Sequence, residues 1–256
     1  MQSIDFSHKF NQKIEKNVLP AGVQSLKFGC NFNQEIDEDV LPAGLQSLEF
    51  GYKFNQKIGQ NILPGRLQSL KFGNEFNQRI DENVLPARLQ TICFDNKFNQ
   101  RIDENVLPAG LHSIVFGWEF NQRIDENVLP TELQSIVFGN YFNQEIDQNI
   151  IPNEVKLIIF GNNYNQSINN IPIGTKVYVK NISQIATRNY SLYNHYRGAL
   201  ETIIKIKNIN IGQIYEHKFD IFNNSCFMAD VEIIKPEINR VKLKEIFTEL
   251  VSELHI

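Results

Sequence analysis

The tripeptide Phe-Asn-Gln returns at Phe10, Phe32, Phe54, Phe76, Phe98, Phe120 and Phe142, always 22 residues on, and Tyr164-Asn165-Gln166 supplies an eighth copy in the same frame. A fixed period of this length belongs to an array whose units are too small to bury an apolar face alone, so each stacks on its neighbours and shares a core with them. The function of such a chain lies on the surface that the stacked units build together.

One unit reads Leu45-Gln46-Ser47-Leu48-Glu49-Phe50-Gly51-Tyr52-Lys53-Phe54-Asn55-Gln56-Lys57-Ile58, then Asn61-Ile62-Leu63-Pro64. Side chains alternate along a strand, so Leu48 and Phe50 face one side while Ser47, Glu49 and Gly51 face the other. A helix would need apolar positions three and four apart throughout, and Gly51 and Pro64 interrupt the unit. The reading is therefore a mainly β solenoid, with equivalent strands stacked as a parallel ladder about 4.8 Å apart. Phe50, Phe72, Phe94, Phe116 and Phe138, with Phe54, Phe76, Phe98, Phe120 and Phe142 beside them, are expected to form stacked core columns rather than a cofactor site. The Asn column from Asn11 to Asn165 is expected to hydrogen-bond turn backbone that the strand ends leave unpaired. Pro20, Pro42, Pro64, Pro86, Pro108, Pro130 and Pro152 mark a fixed bend before each new strand.

Phe-Asn-Gln-x-Ile followed by Asn-Val-Leu-Pro at this spacing resembles the FNIP repeats, also called IP22, across about residues 1 to 174. These repeats occur in social amoebae and giant viruses and are similar to leucine-rich repeats. The resemblance implies parallel-stranded, leucine-rich-repeat-like coils and a protein-binding role. Several family members join the repeats to an F-box, and engagement of a host or ubiquitin-pathway protein follows by that analogy. Here Met1-Gln2-Ser3-Ile4-Asp5-Phe6 already reads as a repeat strand, so no F-box is expected and an adaptor role is not directly inherited.

Hydrophobic residues make up 42% of the chain and charged residues 21%, with a formal charge of −4. No apolar run reaches 18 residues, and polar residues follow Met1 in place of a basic start and an apolar stretch. No membrane contact is expected, and the default location is intracellular and cytoplasmic, in the host cell if the chain is viral. Cys30, Cys93 and Cys226 fit neither a disulfide framework nor a zinc pattern and are read as free thiols. The five histidines share no metal-ligand spacing, so no metal and no cofactor is expected.

Asp81, Asp103, Asp125 and Asp147, with Glu82, Glu104 and Glu126 beside three of them, invite an enzyme reading. Repetition argues against it, because a catalytic pair needs one unique environment that drives two pKa values apart. Arg79, Arg101 and Arg123 in the same coils are expected to pair with these carboxylates on a solvated face. The three arginines also make too short a stripe for nucleic acid, since Glu35 and Glu145 take the equivalent position elsewhere.

The period fails between Ile171 and Lys180, where Pro172 arrives two residues early and Thr175 to Lys180 reads as a degenerate ninth strand. The chain thus divides into a solenoid of eight to nine coils, residues 1–180, and a segment of 181–256. That segment reads as short strands followed by a helix after Pro236, forming a C-terminal cap or a small domain.

One outward strand position does vary, running Asp5, Lys27, Glu49, Lys71, Cys93, Val115, Val137, Ile159 from charged to apolar. Val115, Trp118, Val137, Tyr141 and Ile159 have the composition of a protein-interface anchor and are the expected partner-binding residues. Lys27, Glu49, Tyr52, Lys53 and Lys71 form a secondary candidate surface on the early coils. Burial of the apolar patch under residues 181–256 is the competing explanation. Two other classes remain open: self-assembly through an exposed strand edge, and an enzyme centred on His195, His217 and Cys226 in the tail.

Overall fold

The structure, a computed structural model, describes residues 2–179, apart from the side chain of Val179. Nine short strands follow one another: β1 (Gln2–Asp5), β2 (Val23–Lys27), β3 (Ser47–Glu49), β4 (Ser69–Lys71), β5 (Thr91–Cys93), β6 (Ser113–Val115), β7 (Ser135–Val137), β8 (Leu157–Phe160) and β9 (Lys176–Val179). They form one parallel sheet in strict sequence order. From β2 to β8 the register is an unbroken step of 22 residues, for example Leu48 beside Leu70 and Ile114 beside Ile136. The expected parallel solenoid is therefore the fold, and every coil brings the same residue type to the same height.

The inner side of the sheet carries Leu26, Leu48, Leu70, Ile92, Ile114, Ile136 and Ile158, all at most 1% exposed. Behind them the two phenylalanines of each coil stack face to face, with Phe50 and Phe54 centroids 3.8 Å apart and planes within 10°. Each pair then meets its neighbour in the next coil, as Phe50 meets Phe72 at 5.7 Å. The result is a zipper of offset rings from Phe6–Phe10 to Phe160–Tyr164. Full burial of a Phe side chain is worth about 1.5–3 kcal/mol, so this column is a large apolar contribution of each coil beside its buried Leu, Ile and Val side chains. Burial also raises the Tyr164 phenol above its ordinary pKa, and its hydroxyl donates to the Ser167 carbonyl at 3.1 Å.

The asparagines do what the sequence reading assigned to them. The backbone N–H of Asn33 donates to Asn11 Oδ1 at 2.8 Å, and the contact recurs up the array to Asn165 on Asn143 at 2.9 Å. The same oxygens also accept from the Gln side chain of the following coil, as Asn55 Oδ1 does from Gln78 Nε2 at 3.1 Å. One amide oxygen thus satisfies two donors of the next coil where the strand ladder has ended.

Pro20 through Pro172 bend the chain into the next strand, and each carbonyl accepts from the N–H three residues later at 3.0–3.2 Å. A second bend was not anticipated. Asn17, Asp39, Asn61, Asn83, Asn105, Asn127 and Asn149 all have φ between 62° and 67°. Asn and Asp tolerate this left-handed conformation best among non-glycine residues, which explains their recurrence ahead of Val-Leu-Pro. Backbone contact is closest at the glycine column: a Cβ on Gly51 would sit 1.9 Å from the Gly29 carbonyl oxygen.

The ninth coil is shortened. Ile158 pairs with Val177, a step of 19 residues, so one further residue is lost beyond the two lost before Pro172. The strand expected within Thr175 to Lys180 runs from Lys176 to Val179. The strands and helix read into 181–256 lie outside the described residues. Cys30 is a free thiol as expected, whereas Cys93 is disulfide-bonded, which corrects the reading of all three cysteines as free. No described helix is long and apolar enough to cross a membrane.

Candidate interaction surface

Two columns face outward from the sheet because alternation leaves them there. One is hydroxylic, from Ser25, Ser47 and Ser69 to Thr91, Ser113 and Ser135; the other runs from Asp5 and Lys27 to Val137 and Ile159. On the early coils the second column is a closed charge set. Glu49 Oε1 forms an ion pair with Lys27 Nζ at 3.2 Å and accepts a hydrogen bond from Lys71 Nζ at 3.1 Å. On the later coils Cys93, Val115 and Val137 form an apolar cluster separate from the inner core, with Ile159 packed against it. Val115 and Val137 are 9% and 7% exposed, so in this arrangement they do not present an open anchor; Ile159 is half-buried.

Beyond the strand and its glycine the chain forms a rim. The residues of this turn continue a backbone ladder: Lys53 N–H donates to the Cys30 carbonyl at 2.9 Å, Glu75 to Tyr52 at 2.9 Å, and Tyr141 to Trp118 at 3.0 Å. Tyr52 and Tyr141 are each 51% exposed, Trp118 is half-buried and Lys53 is exposed. The sequence-derived residues thus separate into two places. Val115, Val137 and Ile159 stand on the sheet with Lys27, Glu49 and Lys71, while Trp118, Tyr141, Tyr52 and Lys53 stand on the rim. The rim charges Glu75 and Lys97 were missed; they pair at 2.6 Å, and this hydrogen bond raises the Lys97 pKa. Their signal was the alternation Lys53, Glu75, Lys97, Glu119 at the repeat spacing.

Asp95 was also missed, although it is the single break in the run Gly29, Gly51, Gly73, Gly117, Gly139 and Gly161. Desolvation raises its carboxyl pKa, opposed by the Asn96 backbone N–H at 2.7 Å and by Lys71. On the far side of each coil the arginines bridge successive aspartates. Arg101 reaches Asp103 in its own coil at 3.0 Å and Asp125 in the next at 2.7 Å, and Arg79 and Arg123 repeat the pattern. This is the paired solvated face that was expected. The hydrogen bond and charge of Lys57 hold Asp81 below the usual carboxylate range. Among the described residues no cluster of His, Cys, Asp and Glu is arranged to hold a metal ion. His195, His217 and Cys226 lie outside the described residues.

Fold and surface together define a leucine-rich-repeat-like solenoid, a class that is typically a non-enzymatic scaffold. The FNIP Repeat pattern matches residues 10–53, 54–97, 98–141 and 142–177, well over half of the sequence, and the chain belongs to the FNIP repeat family. Among solved structures it is similar to CroV588, a giant-virus protein described as a novel circular LRR protein, with 49% identity and a TM-score of 0.68. The match covers 69% of this chain but 26% of CroV588, so the chain spans about a quarter of that protein's length. No curated relative matches the sequence.

Proposed function

We propose that the chain is a non-enzymatic module that binds another protein along its rim, with Trp118 and Tyr141 as anchors. Tyr52, Lys53 and the Lys27–Glu49–Lys71 set extend the contact over the early coils. The observation that carries this reading is the pairing of Trp118 and Tyr141 on successive coils, held by a backbone hydrogen bond of 3.0 Å and open to solvent at Tyr141. Aromatic side chains on a fixed backbone supply large contact area with little ordering cost, which is why such residues dominate interface energetics. The rim charges alternate in sign along the column Lys53, Glu75, Lys97 and Glu119, with Glu75 and Lys97 paired, which favours a protein partner over a nucleic acid.

The test is capture from a cell lysate with the wild-type chain and a Trp118→Ala, Tyr141→Ala variant of equal folded content. Loss of a specific protein on the variant supports rim binding. Identical captured sets contradict it.

A further inference from the structure

One position of the rim holds a pair of side chains that no other coil repeats. The residue after the sheet glycine runs Cys30, Tyr52, Asn74, Asn96, Trp118, Asn140 and Asn162, and its equivalent in the first coil is His8. Cys30 and His8 meet: Cys30 Sγ lies 3.8 Å from His8 Nε2, within hydrogen-bond reach of sulfur. The thiol is free and half-buried and the imidazole is exposed, so both are open to a small molecule. Backbone contacts on either side hold them opposite each other. Gly29 packs so closely that a Cβ there would sit 1.9 Å from the Ser7 carbonyl oxygen and 3.0 Å from His8 Cα. The Asn31 N–H donates to the His8 carbonyl at 3.1 Å, and the Cys30 carbonyl accepts from the Lys53 N–H at 2.9 Å. The array does not use the pair for its own packing, because ring stack, amide ladder and register continue unchanged past Tyr52 and Asn74 at the same position.

We propose that Cys30 is a reactive thiol that exchanges with small disulfides, with His8 as its base. Exchange needs the sulfur without its proton, and a base within hydrogen-bond reach meets that need. His8 Nε2 takes the thiol proton and Cys30 Sγ attacks one sulfur of the disulfide. The S–S bond of the small molecule breaks as the new one forms, and the departing thiolate takes up the proton that the imidazole holds. The products are a mixed disulfide on Cys30 and one free small thiol. The other titratable groups at this end of the rim are Lys9, beside His8 in sequence, and Tyr52 and Lys53 of the next coil, all exposed. The two lysines suit a disulfide that carries carboxylates. No partner protein enters the argument, so this inference stands independently of the proposed function.

The probe is oxidised glutathione in large excess over the full chain, with the adduct located by peptide mass without reduction and its rate followed from about pH 6 to 10. The adduct should fall on Cys30 and be absent from Cys30→Ser. At pH 7, His8→Gln, which keeps a polar side chain and lacks the base, should slow the reaction about tenfold or more. That gap should close above about pH 9, where a thiol ionises without help. His8 is exposed on the first coil, so the variant should keep the wild-type circular-dichroism spectrum, and His8→Ala is run beside it and should be slowed alike. Equal rates for the wild type and both folded His8 variants at pH 7, a gap that is the same at every pH, or an adduct on another cysteine overturns the inference.

Discussion

The two sides of the same nine strands obey different rules. On the inner side each coil repeats Leu or Ile, then Phe, then a second Phe or Tyr, and the rings stack without a gap. On the outer side the residue at one fixed height passes from Lys27 through Glu49, Lys71 and Cys93 to Val115 and Val137. The backbone is the same on both sides, so the difference comes from constraint. An inner side chain must fit between two copies of itself, whereas an outer one need only avoid repelling its neighbours. Variation along the outer side is therefore where a specific function can be written without disturbing the fold.

Substitution inside the inner column should show the largest effect. Phe98→Ala removes a ring stacked on Phe94, Phe76 and Phe120 and should lower unfolding free energy by about 3–5 kcal/mol, measured by urea denaturation. Phe10→Ala, at the half-buried end of the same column, should cost clearly less, and equal losses would break the idea of a column that tightens inward. Next comes the amide ladder. Asn99→Ala leaves the Asn121 N–H and the Gln122 side chain without their acceptor, a cost of about 1–3 kcal/mol, whereas Asn99→Asp keeps an acceptor oxygen and should cost less.

Asp95 sharpens the comparison because it puts an outer-surface residue into an inner constraint. Its folded pKa is raised by burial, so the carboxylate is disfavoured in the folded state. The penalty is absent below the ordinary Asp value and grows as pH rises through the raised folded value. Asp95→Asn should therefore gain stability at neutral pH, up to about 1 kcal/mol, and the gain should shrink toward pH 4. A gain independent of pH would assign the effect to shape alone. The smallest effect is expected at Arg101→Ala. Its two ion pairs are exposed, and the loss should be about 0.2–1 kcal/mol at low salt and vanish in high salt.

Much of this organisation can be read from residue spacing. Alternation around Leu48 and Phe50, together with one invariant period, leaves few alternatives to an in-register parallel ladder, and the early Pro172 announces the shortened last coil. Other features depend on dihedral angles or on three-dimensional neighbours. The left-handed bend at Asn61 and its equivalents looks like any polar turn until φ is known. That Arg101 reaches forward to Asp125 as well as to Asp103 follows from coil pitch and side-chain length. Whether Val115 and Val137 are open or shielded was left between two readings, because period and alternation place a side chain on a face without saying what lies over it. On the rim, Trp118 and Tyr141 stood out by type, and their backbone pairing emerged only when the coils were stacked.

The most direct measurement sets two double variants side by side in one unfolding and capture experiment: Trp118→Ala with Tyr141→Ala on the rim, and Phe94→Leu with Phe98→Leu inside. The rim variant should keep the wild-type denaturation midpoint and lose the captured protein, while the inner variant should unfold at markedly lower denaturant and, where still folded, retain it. A rim variant that loses stability and keeps its partner, or an inner variant that stays stable, would contradict the division of each coil into a structural inner column and a binding rim.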